Sequence, residues 1–232
     1  MRPLWAVPLA AAAALALASC SGGGDAASDD PPEQRLERAA DLLDETSSVR
    51  VTVEGEDLPE SGAAVIGAEG VAVPPDSFEG DIRVRDGDLS ATVEVVSVGG
   101  EVWAKLPLTT EFAVVDPESL GFGDPGVLLD PERGVGRLLR SAADVAPGED
   151  VRLDGDVLAQ VSAVLPGELV GDVLTIADGD AEVAATFAVD PDSGRLRRAV
   201  LTGPFLPGGG DQTYTVLLED YGRDVEISAP SD

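Results

Sequence analysis

The sequence predicts an α+β domain dominated by an antiparallel sheet, on three observations. Apolar and polar residues alternate over several short runs, Gly-containing turn signals separate those runs, and one leading segment carries apolar residues at helical spacing. Alternation of period two belongs to strands with one buried and one wet face, whereas i, i+3, i+4, i+7 spacing belongs to a helix with a single apolar stripe.

The chain opens on Met1 and Arg2, followed by an apolar, alanine-rich run from Leu4 to Leu17. That run falls short of the ~20 residues a membrane-spanning helix needs and has the form of a secretory signal. Its small residues lead into Leu17-Ala18-Ser19-Cys20, which resembles the lipobox of bacterial lipoproteins and contains the only cysteine. Residues 1–19 are therefore expected to be removed and Cys20 to be acylated. Two or more acyl chains hold a protein to a membrane stably where one does not. A lone thiol forms no internal disulfide, so the exported domain folds on its apolar core.

Residues 20–32 form the lipidated cysteine and a Gly, Ser, Asp and Pro linker, and residues 33–232 form one domain, since no further linker interrupts them. Asp30-Pro31-Pro32-Glu33 has the composition of a helix start with Asp30 as N-cap, and Leu36, Ala39, Ala40 and Leu43 give the stripe to be buried. Strands follow: Val49, Val51 and Val53; Ile82 and Val84; Leu89, Ala91, Val93 and Val95; Val102, Ala104 and Leu106. Asp86-Gly87 and Gly99-Gly100 are hairpin turn signals between them.

The middle changes character. Asp116-Pro117 and Asp130-Pro131 each place an N-cap before a proline, and Val135, Leu138 and Leu139 form an apolar patch on a short helix weakened by Gly134 and Gly136. A strand at Val151 to Leu153 and a helical stretch around Leu158 to Leu165 are expected next. Val183 to Val189, the turn at Asp190 to Gly194 and the run from Leu196 to Leu201 resume the sheet. Tyr214, Val216 and Leu218 with Val225 and Ile227 form a last hairpin around Tyr221-Gly222.

A net charge of −29 argues against nucleic acid as a partner, because phosphate binding needs Lys and Arg to release counterions. Lys105 is the sole lysine, a bias that fits a high-GC genome or salt adaptation. Histidine is absent, which removes the usual general base and excludes Ser-His-Asp and Cys-His chemistry. With Cys20 committed to lipid, no Cys/His metal site is expected either, and nothing calls for a cofactor. The Asp-Gly-Asp runs at Asp86, Asp154 and Asp178 lack the distal bidentate Glu of a calcium loop and fit turns. With 44 acidic residues some carboxylate pair is bound to be close, so proximity of carboxylates points to no enzyme.

Two features leave a functional reading open beside a structural one. Arg133, Arg137 and Arg140 share a helix face, where they either pair with nearby acids or meet an anionic headgroup. Aromatic residues are 4% of the chain, so Val, Leu and Ala must fill a wide sheet. Either that sheet closes on itself, or it leaves volume for a second apolar body.

The order of lipobox, linker, amphipathic helix, meander, helical middle and closing strands is similar to that of the actinobacterial LppX/LprAFG lipoproteins, the LprG-like members most closely. The resemblance is carried by Gly67-Ala68-Glu69-Gly70-Val71 before the Phe78 to Val84 strand, by Leu128-Leu129-Asp130-Pro131-Glu132-Arg133-Gly134-Val135, and by Tyr214 to Gly222 with the segment after it. It implies a curved antiparallel β half-barrel with helices packed across the concave face, enclosing an apolar cavity for acyl chains. The cavity wall would fall on Val51, Val53, Ile82, Val84, Leu89, Ala91, Val93, Val95, Val102, Ala104 and Leu106. It further implies a carrier of acylated glycolipids, of the phosphatidylinositol mannoside or lipoarabinomannan type, or of triacylglycerol, on the outer face of the plasma membrane and acting beside a major-facilitator exporter. The alternative is a scaffold or accessory lipoprotein with a solid core that binds such an exporter or another envelope protein. An apolar void of several hundred Å³ would distinguish the carrier.

Overall fold

A computed structural model describes residues 30–60, 62–208 and 210–231; Cys20, the signal segment and most of the linker lie outside the described residues. The first element, α1 (Pro32–Asp44), buries Leu36, Ala39, Ala40 and Leu43 as the spacing requires. Its N-cap is Pro31, with no side-chain cap, so neither Asp30 nor Glu33 caps it as the sequence suggests. Proline at the first helical position loses no hydrogen bond there, which lets the helix begin without a polar cap.

The strands are β1 (Val49–Glu56), β2 (Ala63–Val73), β3 (Ser77–Asp86), β4 (Leu89–Val98), β5 (Glu101–Lys105) and β6 (Ala113–Val114) in the first half. Two 3₁₀ turns, Pro117–Leu120 and Pro125–Leu129, and the short helix α2 (Val135–Arg140) follow. The second half holds β7 (Ala143–Pro147), β8 (Val151–Leu153), β9 (Asp156–Pro166), α3 (Gly167–Val170), β10 (Glu182–Val189), β11 (Leu196–Gly203) and β12 (Gln212–Glu219). Every pairing is antiparallel. The order is β6-β5-β4-β3-β2-β1-β12-β11-β10-β9-β7, with β8 paired to β9. The result is an open, curved sheet whose concave side is covered by α1, α2 and the second 3₁₀ turn.

Three further sequence expectations are corrected. The stretch from Leu158 to Leu165 is not a helix but the body of β9, paired along its length with β10. Leu158, Val161 and Leu165 fit a helical period, but Val161, Ala163 and Leu165 equally fit period two, and the long ladder to β10 decides between them. Among the described residues no strand follows Tyr221-Gly222. Both edges of β12 are already taken, by β1 and β11, so a returning strand has nothing to pair with. The tail instead lies over the outer face, with Val225 and Ile227 beside Arg50, Glu69 and Glu79 and with Pro230 near Trp103. Finally, Asp130 does not start a helix. Its carboxylate accepts from the Glu132 and Arg133 backbone N–H groups at 2.8 and 3.1 Å, closing a turn ahead of α2.

The three Asp-Gly-Asp runs stand in turns, between β3 and β4, between β8 and β9, and before β10. Among the described residues no helix is long and apolar enough to cross a membrane.

Candidate functional site

Strand register arranges the concave side chains in rows across the sheet. One row is Val49, Ala72, Phe78, Ser97 and Val102; the next is Leu218, Val51, Gly70, Gly80, Val95 and Ala104; the third is Val216, Val53, Ala68, Ile82 and Val93. Over part of these rows lies a partly open apolar cavity. Its floor is Val51, Val53, Val65, Ala68, Phe78 and Ile82, with Tyr214 from β12 and Leu206 from the loop before it. The roof comes from two loops, Gly121-Phe122-Gly123 with Pro125 and Leu128 on one side and Val173-Leu174-Thr175 on the other. Among the described residues none that borders the cavity is charged, in a chain that holds 44 acidic ones.

The cavity has an inner volume of about 80 Å³. That inner space is smaller than the several hundred Å³ expected of a chain-holding site. Leu128, Leu174 and Leu206 reach in from the loops, where the half-barrel alone would leave a wide trough.

Each wall is pinned by a polar contact. On the floor, Gly55 leaves room for the Tyr214 ring, since a Cβ there would meet Tyr214 Cε1 at 2.9 Å. The ring crosses β1 at that point, and its hydroxyl donates to the Val65 carbonyl at 3.1 Å. Phe205 packs edge-on against Tyr214 at 5.0 Å between centroids. Burial pushes the Tyr214 hydroxyl up to about 12. In the roof, the Asp124 carboxylate accepts from Ser97 Oγ at 2.6 Å and from the Gly126 backbone N–H at 2.8 Å. The Pro125–Leu129 turn is thereby fastened to β4. The opposite loop is held by its own turn, Val173 and Leu174 N–H donating to the Val170 carbonyl, and by Ala177 N–H donating to the Pro204 carbonyl.

Of the wall residues expected from sequence, Val51, Val53 and Ile82 border the cavity. Val93, Val95, Val102 and Ala104 are buried in a neighbouring cluster with Ile82, closed by Phe122, with Val84 and Leu106 partly buried at its margin. Ala91 is partly buried, and Leu89 is 79% exposed where β4 begins. Missing from the expectation are Val65, Ala68, Phe78, Leu206, Tyr214 and the whole roof. The alternation that marks a strand's buried face carries no information about loops folded over it.

The three arginines are each held by acids. Arg133 forks onto Asp130 at 2.8 Å, Arg140 lies 2.7 Å from both Asp41 and Asp44 of α1, and Arg137 lies 3.6 Å from Asp172. Burial pushes the Asp130 carboxyl upward, but hydrogen bonds from Arg133 and from two backbone N–H groups outweigh it and hold it below the ordinary carboxylate value. Of the acids that hold the three arginines, only Asp172 is next in sequence to a cavity residue, Val173.

The family described as LppX_LprAFG lipoprotein matches residues 31–227. The chain belongs to the LppX/LprAFG lipoprotein family. Among solved structures, LprF from Mycobacterium bovis is similar with a TM-score of 0.70 at 18% identity, covering 87% of this chain and 97% of LprF. LppX from Mycobacterium tuberculosis is similar with a TM-score of 0.61 at 16% identity, covering 87% of this chain and 100% of LppX. These likenesses show that the chain shares the fold of LprF and LppX. No curated protein sequence matches the chain.

Proposed function

We propose that the chain is a lipid-anchored carrier that holds acyl chains of envelope lipids in its concave cavity and moves them from the plasma membrane toward the outer envelope. The observation that carries this reading is an uncharged, apolar cavity maintained inside a chain of net charge −29. Its physics is burial: each methylene transferred from water to an apolar site gains about 0.8 kcal/mol, which offsets the loss of bilayer contacts. The cargo is an acylated glycolipid of the phosphatidylinositol mannoside or lipoarabinomannan class, or triacylglycerol, and Cys20 supplies the anchor. A membrane exporter is the candidate protein partner. No residue performs chemistry in this reading, and no cofactor takes part.

The narrowness of the inner space favours a second reading, a scaffold with a filled core that binds the exporter. The two separate by uptake of a fluorescent fatty acid. A carrier takes it up, and Ala68→Trp, which fills the floor between Val53 and Ile82, lowers uptake at least tenfold while circular dichroism is unchanged. A scaffold takes up none. Because carboxylates already hold Arg133, Arg137 and Arg140, we assign them to fixing α2 rather than to a headgroup. Their combined replacement by Gln is expected to leave the ratio of anionic to neutral lipid uptake unchanged; a fall in that ratio would restore the headgroup role.

A further inference from the structure

We propose that Phe78 is the end stop of the cavity and sets the length of acyl chain it accepts, an inference that rests on the carrier reading above. Phe78 stands in the row Val49, Ala72, Phe78, Ser97, Val102, and of that row it alone borders the cavity. Val49, Ala72 and Ser97 are fully buried around it. The lumen runs over the rows of Val51 and Val53 and stops at the ring.

What lets the ring lie there is a pair of glycines. Gly70 and Gly80 face each other directly in the β2–β3 ladder, so the row beside Phe78 lacks two adjacent side chains. The ring leans over that gap: a Cβ on Gly80 would meet Phe78 Cζ at 2.9 Å, and one on Gly70 would meet Cε2 at 2.7 Å. Glycine within a strand often marks such a close approach. Behind the ring, the floor is bare backbone. Trimming the ring therefore opens a slot along the same axis, about 7 Å long for two residues of strand, which admits a few more methylene groups. Val51, Val53, Ala68 and Ile82 stand in the rows the lumen runs over, so trimming them widens it without lengthening it.

The test uses the lipid-free purified chain and a series of saturated fatty acids from lauric to lignoceric acid, with affinity measured for each. The tightest-binding acid is expected to be longer for Phe78→Leu than for the parent, longer again for Phe78→Ala, and shorter for Phe78→Trp. A purely structural role for Phe78 would weaken all acids together without moving the optimum in opposite directions. An unchanged optimum in Phe78→Leu and Phe78→Trp, both with parental circular dichroism, overturns the end-stop role while leaving the carrier reading intact. If the parent binds no acid of any length, the carrier reading fails and the end stop with it.

Discussion

Tyr214 joins three strands from a single position. Its backbone pairs in β12, its ring crosses β1 over Gly55, and its hydroxyl reaches the Val65 carbonyl in β2, beyond the point where the β1–β2 ladder ends at Glu54 and Gly67. Tyr214→Phe removes one largely buried hydrogen bond and is expected to cost about 1 kcal/mol. The sign of its pH dependence follows from burial. An unfolded tyrosine ionises near pH 10, whereas Tyr214 in the fold ionises near 12, so its contribution is complete below pH 10 and is lost as pH rises through 12. Burial also raises the Tyr221 value, and its hydroxyl donates to the Leu196 carbonyl at 2.6 Å. Urea unfolding at pH 9 and pH 11 should show a smaller loss of stability for Tyr214→Phe than for the parent. An identical loss would mean that Tyr214 ionises alike in the folded and unfolded states, so that burial does not raise its value.

Among the elements, the Pro125–Leu129 turn matters most to the cavity, since it carries Leu128 into the roof and depends on Asp124. Asp124→Ala removes the cap from Gly126 N–H and leaves the buried Ser97 hydroxyl without its acceptor, a combined cost of about 2 kcal/mol. Hydrogen exchange is expected to speed up over residues 121–129 and not in β10. A loss of stability under 0.5 kcal/mol would show that the turn is held by its apolar contacts alone. How legible each element was in the sequence follows from how it is held. Strands with one wet face, such as β1 with Val49, Val51 and Val53 inward, declare themselves by alternation. The strand β2 does not, because Gly67, Gly70 and a bulge between Val65 and Gly67 break its pattern, although its register supplies the second floor row. In β9, the apolar spacing suits helix and strand alike, and only pairing with a strand some 25 residues later resolves it. The same logic divides the site. Val51, Val53 and Ile82 follow from alternation, whereas Leu128, Leu174 and Leu206 lie on loops whose approach to the sheet is fixed by distant capping contacts such as Ser97 with Asp124.

For the molecule as a whole, charge and shape divide the work. Acidic side chains occupy the outer face of the sheet, where Glu69, Glu79 and Asp81 point away from the cavity, and apolar ones the inner face. A chain of net charge −29 has no electrostatic hold on anionic lipid, so the proposal assigns membrane attachment to Cys20. Cys20→Ala is expected to move the protein from the membrane fraction to the soluble fraction. Retention of Cys20→Ala on salt-washed membranes would remove the anchor from the proposal. For the proposed carrier, an inner space of about 80 Å³ requires the roof loops to part for a chain to enter, because the hydrogen-bonded floor cannot widen without breaking its ladders. The most direct measurement of lipid carriage is native mass spectrometry, with lipid extraction, on the domain from Glu33 onward purified from an actinobacterial host. A bound acylated glycolipid or triacylglycerol, lost in Ala68→Trp, is the expected result; a lipid-free domain that also takes up no added lipid would contradict it.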